Sequence, residues 1–398
     1  MHANTQIPKD NGFERISLLE EAEDYHDAAS NFFDNVTTQR SISIGGNSVR
    51  EHFNPVDDFS SVVSSEQGPE SCNTYNMLKL SKLLFEDTSE EHYIDFYERG
   101  LYNHILSSQN PDGGFVYFTP IRPGHYRVYS QPETSFWCCV GSGMENHTKY
   151  NELIYAKKED KLYVNLFIPS EVNWEEKNAT LTQKTNFPEE ALTELIWNSK
   201  KKTKATLMLR YPQWVNAGEL KVYVNDKLEK IDATPGSYVS LERKWKNGDR
   251  IKMELPMHLS LEELPDDSGY VSVKYGPIVL AAVTGDANQD GLFADDSRGG
   301  HIADGPFLPL TEAPMFLTKD GEDLLNEIKP VEGEPLHFTA PGLFYPEKYS
   351  DLVLQPFYKI HEKRYSIYFK KQTPEALAEE QRKLEEKQKE EKPKKDGE

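Results

Sequence analysis

The sequence contains little cysteine. Only three of its 398 residues are cysteines, Cys72, Cys138 and Cys139, and an odd number of thiols excludes a framework in which every cysteine is paired. Cys138 and Cys139 are adjacent, so they could bond to each other only through a strained ring. We therefore expect these residues to be thiols with a chemical role.

The sequence also lacks long apolar runs. No segment approaches the roughly 18 consecutive apolar residues that a membrane-spanning helix needs. The N-terminus, Met-His-Ala-Asn-Thr-Gln, has neither the basic start nor the apolar run of a signal peptide. The sequence therefore predicts no membrane association, and it leaves the cellular location unknown.

Positively charged residues are fewer than negatively charged ones. The chain has 45 Lys and Arg residues against 66 Asp and Glu residues, and its formal net charge is -21. Phosphate backbones and anionic membrane surfaces repel such a chain, so nucleic acid is excluded as an expected partner. Hydrophobic residues make up 37% of the chain and aromatic residues 11%, which is enough for real cores. At roughly 150 residues per domain, the length predicts two or three domains.

The apolar pattern changes along the chain. Before residue 157 apolar residues recur at steps of three and four, which is typical of amphipathic helices, and the last such segment runs from Val140 to Tyr155. After residue 158, short β-branched and aromatic segments alternate with turns. We therefore predict a multidomain α + β protein with four parts: a helical domain at 1–157, an antiparallel β-sandwich at 158–285, a further β-rich region at 286–372 that packs on the sandwich or the helical domain, and a charged helical tail at 373–398.

One group of residues combines every thiol with a nearby carboxylate. Glu70 lies two residues before Cys72, and Cys138 and Cys139 complete a set of four potential ligands. Zinc accepts three thiolates and one carboxylate oxygen in a tetrahedron. The alternative is that three small buried thiols only pack in a helical core, which is the usual environment of free cysteine. The spacing alone leaves both interpretations open.

Four strings of residues resemble the β-L-arabinofuranosidases of glycoside hydrolase families 127 and 146, with the closer likeness to family 146. They are His2-Ala3-Asn4-Thr5-Gln6-Ile7-Pro8, Gly45-Gly46-Asn47-Ser48-Val49-Arg50-Glu51-His52-Phe53, Glu70-Ser71-Cys72-Asn73-Thr74-Tyr75-Asn76-Met77 and Phe136-Trp137-Cys138-Cys139.

The resemblance implies a fold and a chemistry. The fold would be an (α/α)6 barrel followed by β-sandwich domains. Zn²⁺ would be bound by Glu70, Cys72, Cys138 and Cys139, with Cys138 as the nucleophile and Glu51 as the general acid/base. The implied activity is that of a retaining hydrolase which removes terminal β-L-arabinofuranosyl residues from plant oligosaccharides or glycans.

Three further residues are candidates for binding the sugar. His2 lies in a string whose histidine lines the sugar site in the family, although a residue so near the start of the chain can also fray. His125 and Tyr126 precede the cysteine pair and could stack on a sugar or hydrogen-bond to it, but aromatic residues at this density equally often form core.

The first of the four strings lies at a different position in this chain than in the family. Family members place earlier barrel helices before the His-Ala-Asn-Thr-Gln string, whereas here the string begins the chain. We therefore expect only the C-terminal part of the barrel, with an N-terminal barrel segment missing or supplied by another chain. The alternative function is that of an inactive remnant or half of a split enzyme, in which a zinc-stabilised helical stub carries sandwich domains that bind carbohydrate or a partner.

Overall fold

The computed structural model describes residues 1–319 and 323–390 and contains both helices and sheets. The α-helices are Ala3–Glu20 (α1), Glu23–Gln39 (α2), Ser60–Ser64 (α3), Ser71–Thr88 (α4), Glu91–Gly100 (α5), Cys138–Asn146 (α6) and Pro374–Glu390 (α7). Within the described residues, no helix combines the length and the apolar character needed to cross a membrane.

Helix α4 lies at the centre of the helical region. It buries Met77, Leu80 and Leu84, whose three- and four-residue spacing puts them on one face. This face shares a hydrophobic core with residues of α1, α2 and α5. The loop before α3 packs closely on the end of α5, because a Cβ atom at Gly45 would lie only 2.9 Å from the Cα atom of Gly100.

Ten strands follow in two sheets. They are Tyr155–Lys158 (β1), Lys161–Val164 (β2), Ser170–Trp174 (β3), Ala179–Thr185 (β4), Leu192–Ser199 (β5), Thr203–Tyr211 (β6), Lys221–Val224 (β7), Lys227–Leu228 (β8), Ser237–Trp245 (β9) and Asp249–Glu254 (β10). One sheet has the order β1-β2-β6-β9 and the other β3-β4-β5-β10-β7-β8. Both sheets contribute to one core, in which the rings of Trp197 and Trp245 stack with centroids 6.0 Å apart.

The third sheet supports the helical region. Its strands are Leu259–Glu263 (β11), Tyr270–Tyr275 (β12), Ile278–Gly285 (β13), Met315–Leu317 (β14), Lys329–Pro330 (β15), Phe338–Thr339 (β16), Phe344–Tyr345 (β17), Val353–Pro356 (β18), Arg364–Ser366 (β19) and Tyr368–Gln372 (β20). Both faces of β13 are covered. Leu280 belongs to the core of the sheets, while Val279 packs with Ile44 and Val49 of the loop that carries Glu51.

The structure confirms a mixed α and β protein. The (α/α)6 barrel, the sandwich and the domain boundaries stay predictions. The helix predicted from Val140 to Tyr155 was wrong in extent: α6 ends at Asn146, and β1 begins at Tyr155. One strand pair differs from the antiparallel prediction, since β2 and β6 run parallel. Helix α7 lies in the predicted charged tail, of which residues 391–398 fall outside the described residues.

Candidate metal centre and active site

Two helix N-termini bring the thiols together. Glu70 and Trp137 are the residues immediately before α4 and α6, so Cys72 and the cysteine pair lie in the first turns of these helices. The backbone N–H of Ser71 donates to the carbonyl of Tyr117 at 2.9 Å and fixes the start of α4. The positive end of a helix dipole stabilises thiolates. It acts against the hydrogen bond with Cys138, which raises the pKa of Cys72, and against the burial that raises the pKa of Cys139.

The four predicted ligands converge. Their ligand atoms all lie within 4.8 Å of one another. The Sγ atoms of Cys72 and Cys139 are 3.1 Å apart, and those of Cys138 and Cys139 are 3.9 Å apart. The Oε1 atom of Glu70 lies 3.7 Å from Cys138 Sγ and 3.6 Å from Cys139 Sγ. Thiolates bound to one zinc ion at about 2.3 Å would lie about 3.8 Å from each other, so the set has nearly the dimensions of a zinc site.

The residues also fit zinc chemically. Three sulfurs and one carboxylate form a tetrahedral donor set that suits Zn²⁺. Asn4 donates to Oε1 of Glu70 at 3.2 Å, whereas the buried Oε2 atom has no hydrogen-bond partner among the described residues. A buried carboxylate oxygen without a donor is costly, and a bound cation would satisfy it.

Burial divides the cluster into two kinds of residue. Glu70, Cys72 and Cys139 are buried, whereas the Cys138 thiol is exposed. Hydrogen bonds from Cys139 and Cys72 lower the pKa of Cys138, while burial raises the pKa of Cys139. Burial, together with the charges of Cys138 and Glu51, raises the pKa of Glu70 to about 8. The most accessible sulfur is therefore also the one most readily ionised.

Glu51 lies beside this cluster on an unusual backbone. Ser48, Arg50 and Glu51 all have positive φ angles, 75°, 48° and 65°, which non-glycine residues rarely adopt and which cluster at functional sites. The carbonyl of Glu51 accepts from the N–H of Ala3 at 2.8 Å. Its carboxylate Oε2 lies 3.6 Å from Nε2 of His2, so the first residues of the chain help to hold it.

Tyr117 connects Glu51 with the cysteines, a role that no pattern in the sequence indicates. Its hydroxyl donates a hydrogen bond to Oε1 of Glu51 and also contributes to the lowered pKa of Cys138. The ring of Tyr117 lies 4.4 Å from that of His301 and 6.1 Å from that of Trp137. These three rings form an aromatic wall beside the thiol cluster.

The three candidate sugar-binding residues lie in different surroundings in the structure. His2 is half-exposed and lies beside Glu51. His125 and Tyr126 are buried. The Tyr126 hydroxyl donates to the carbonyl of Asp290 at 2.5 Å, and His125 packs edge-on against Phe307. These contacts hold His125 and Tyr126 within the protein, and their role in binding sugar stays a prediction.

Comparison with family models assigns three consecutive regions of the chain. Residues 1–152 match the catalytic domain of glycoside hydrolase family 127, described as β-L-arabinofuranosidase, and residues 161–257 match the middle domain of the same family. Residues 260–371 match a domain of unknown function. Two of these regions match domains of one glycoside hydrolase family, so the chain belongs to that family. More narrowly, it belongs to the β-L-arabinofuranosidases of family 127 type, and the closer likeness to family 146 stays a prediction.

Solved structures share the fold. The GH127 β-L-arabinofuranosidase Ara127N from Geobacillus stearothermophilus T6 is 19% identical, with a TM-score of 0.67 over 93% of this chain and 60% of that one. A GH127 β-arabinofuranosidase is 21% identical, with a TM-score of 0.68 over 94% and 60%. A third structure, described as a glycoside hydrolase, is 18% identical, with a TM-score of 0.64 over 93% and 66%. The chain spans about 60% of the length of the first two structures. The comparison with curated proteins gave no match.

Proposed function

We propose that this chain hydrolyses terminal β-L-arabinofuranosyl residues of plant glycans with retention of configuration, with Cys138 as nucleophile and Glu51 as general acid/base. The observation that carries the proposal is the convergence of Glu70, Cys72, Cys138 and Cys139 within 4.8 Å, with only the Cys138 thiol exposed. An exposed thiol held among three buried ligands can reach a substrate without dismantling the cluster.

Glu70, Cys72, Cys138 and Cys139 would hold zinc. A bound zinc ion would keep the thiols deprotonated at neutral pH and offset part of their negative charge. Four anionic ligands exceed the charge of one divalent cation. The excess negative charge favours the positively charged, oxocarbenium-like transition state of glycoside cleavage.

The two chemical steps require one nucleophile and one proton-transfer group. In the first step, the Cys138 thiolate forms a bond to the anomeric carbon while the glycosidic C–O bond breaks, and the protonated carboxyl of Glu51 gives its proton to the departing oxygen. In the second step, the Glu51 carboxylate takes a proton from water. The resulting hydroxide bonds to the anomeric carbon, and the Cys138 thiolate leaves.

The surroundings of Glu51 support its role. The carboxylate is 35% exposed, so it can meet both a leaving group and water. Tyr117 donates to one of its oxygens, and His2 lies beside the other. We include His2 in the proposed sugar site on this ground. The buried positions of His125 and Tyr126 do not support extending that site to them.

The proposal is tested by assaying this chain with zinc on an aryl β-L-arabinofuranoside. We expect the wild-type chain to release the aryl group, and Cys138→Ser to lose turnover because a serine hydroxyl is not ionised at neutral pH. Zinc content is measured in parallel, since loss of a ligand could also collapse the site. Turnover by a folded Cys138→Ser chain would contradict the proposal.

A second candidate function rests on the β regions, since residues 161–257 match the middle domain of family 127 and residues 260–371 match a domain of unknown function. In this alternative the chain is a non-catalytic, zinc-stabilised carrier of β domains that bind carbohydrate or a partner chain. The same assay separates the two candidates. A wild-type chain that binds zinc and stays folded but cleaves no aryl β-L-arabinofuranoside would favour the carrier and overturn the hydrolase.

A further inference from the structure

A second cluster of ligand-type side chains lies where α1, α2 and α4 meet. Glu14 of α1, His26 of α2 and Asp87 of α4 each offer one atom to a group whose members lie within 4.8 Å of one another. The Nδ1 atom of His26 is 3.2 Å and 3.3 Å from the two carboxylate oxygens of Glu14, and 3.1 Å from Oδ2 of Asp87. One imidazole nitrogen thus faces three carboxylate oxygens.

Hydrogen bonds alone cannot satisfy both carboxylates of this cluster. An imidazole nitrogen carries at most one hydrogen, so Nδ1 cannot make good hydrogen bonds to both carboxylates at once. Glu14 is completely buried, and an uncompensated buried carboxylate is costly. Among the described residues, no lysine or arginine nitrogen lies within the 4.0 Å range of an ion pair with the carboxylate of Glu14 or Asp87. Lys158 is nearby but donates to the main-chain carbonyl of Asp87, at 3.1 Å.

The cluster holds more negative charge than one imidazole can balance. His26 is the fourth residue of α2, near the positive end of that helix dipole, where a cationic side chain is disfavoured. Asp87 lies in the last turn of α4, near the negative end, where an anion is disfavoured. An imidazole carries at most one positive charge against the two carboxylates, whereas a divalent cation would balance both.

We propose that Glu14, His26 and Asp87 bind a divalent metal ion of the zinc class, distinct from the thiol centre. Ligands about 2.0 to 2.2 Å from one ion lie about 3 to 3.5 Å from each other, and the Nδ1 atom of His26 lies at this spacing from the carboxylate oxygens of both Glu14 and Asp87. An imidazole ligand favours zinc over calcium or magnesium. His26 and Asp87 are 23% and 40% exposed, so the ion can enter from solvent and keep water as a further ligand.

The role of this site is structural. Its ligands come from three helices, and a bound ion would join α1 and α2 to the end of α4. The thiol centre lies at the other end of α4, because Cys72 is fifteen residues before Asp87, a distance of about 22 Å along a helix. The ion would thus stabilise the helix whose first turn positions the thiol centre, and it would not touch a substrate.

Equilibrium dialysis of the full chain against zinc chloride, with metal quantified by mass spectrometry, tests the proposal. We expect two zinc ions per wild-type chain and one for His26→Gln. Asp87→Asn, at a partly exposed position, should weaken the second zinc by at least about tenfold and is the safer variant for folding. His92→Gln is the matched control, because each His92 nitrogen faces only one carboxylate, at 3.9 Å from Asp34 and 3.6 Å from Glu90; it should keep both ions.

Cobalt substitution separates this site from the thiol centre. Thiolate-bound cobalt has a sulfur-to-metal charge-transfer band, which His26→Gln should leave unchanged while it removes one cobalt ion per chain. The proposal is overturned if folded His26→Gln and Asp87→Asn chains bind as much zinc as the wild type. It is equally overturned if the wild type binds a single ion that gives the sulfur band. Neither outcome depends on whether the chain hydrolyses arabinofuranosides.

Discussion

Cys138 differs from the other residues of the thiol cluster in its exposure and its ionisation. It shares the first turn of α6 with Cys139, yet successive helical residues point in different directions, and only the Cys138 thiol is exposed. The buried residues can therefore serve as permanent ligands while Cys138 serves both as a ligand and as the proposed nucleophile. This division follows directly from adjacent cysteines on one helical turn.

Replacing Glu51 should separate proton transfer from metal binding. Glu51 is not a member of the ligand group, so we expect Glu51→Gln to keep its zinc. Substrates with poor leaving groups need a proton donor and should be slowed by about 10² to 10⁴-fold, whereas activated aryl substrates should be slowed far less at the first step. Pre-steady-state rates for a series of aryl β-L-arabinofuranosides measure this difference.

Glu133→Gln is the matched control, because Glu133 is an exposed carboxylate in the loop just before the cysteine pair. It should leave both leaving-group classes unchanged. Equal slowing of both classes at the first step by Glu51→Gln, with zinc retained, would make Glu51 a binding residue instead.

At the residue scale, the sequence was informative where chemistry requires rare residue types. Every cysteine of the chain belongs to the thiol cluster, so this group of residues could be named before the fold was known, although the spacing alone left packing in a core as the alternative. Tyr117 and His301 could not be predicted. Tyrosine and histidine are common in cores, and His301 reaches the cluster from a loop far along the chain. Their proximity arises from tertiary packing, which leaves no local pattern.

Among the structural elements, α5 and β6 are held together by a buried charge network. Arg210 of β6 is fully buried and forms ion pairs with Glu91, Asp95 and Glu98 of α5, at 2.5 Å to Glu91 and 2.9 Å to Glu98. One guanidinium cannot neutralise three carboxylates. Burial therefore still raises the pKa of Glu91, to about 9, and that of Glu98.

Removing Arg210 should destabilise the protein severely. Arg210→Met removes the cation from a group of three acidic side chains, two of them buried, and breaking a buried ion pair in this way costs about 3 to 5 kcal/mol. Denaturant unfolding monitored by circular dichroism measures the loss. Arg243→Met is the control, because Arg243 is 36% exposed and pairs with Glu229 at 2.9 Å; exposed pairs contribute about 1 kcal/mol or less. Similar losses in both variants would contradict this account of the network.

The same network predicts a pH dependence of stability. The pKa of Glu91 is raised from 4.5 to about 9 in the folded state, so between these values the folded chain binds a proton that the unfolded chain does not. The stability that this bound proton adds is complete below pH 4.5. It is lost as the pH rises towards 9, by up to about 1.4 kcal/mol per pH unit. We expect the unfolding free energy of Glu91→Gln to fall less steeply than that of the wild type between pH 6 and 9. Identical slopes would show that Glu91 is ionised throughout.

The sequence predicted whether a segment is helix or strand better than it predicted where each element begins and ends. Helix α4 has apolar residues at helical spacing and lies within the region that was predicted to be helical. Helix α6 is shorter than predicted, because the apolar residues after Asn146 continue as turns and then as β1. The parallel pairing of β2 with β6 depends on a crossover through β3, β4 and β5, and no local pattern encodes such a connection.

Across the whole molecule, the third sheet holds the proposed acid/base in place. The side chain of Asn103, which follows α5, donates to the carbonyl of Pro277 and accepts from the N–H of Val279, both at 2.8 Å. The N–H of Ser43 donates to the hydroxyl of Tyr368 at 2.9 Å. The loop that carries Glu51 is thus anchored to strands more than 200 residues away along the chain, so the β regions position the candidate active site as well as covering it.

As the proposed nucleophile, Cys138 becomes covalently bonded to the sugar, and mass spectrometry of Glu51→Gln incubated with an activated aryl β-L-arabinofuranoside can detect this bond. The activated substrate should still react in the first step, and the missing base should slow the second step, so a sugar adduct should accumulate. We expect one pentosyl group on the peptide that contains Cys138, and no adduct when Cys138→Ser is added. Aryl release without an adduct, an adduct on another residue such as Glu70, or no reaction at all would contradict the proposed mechanism.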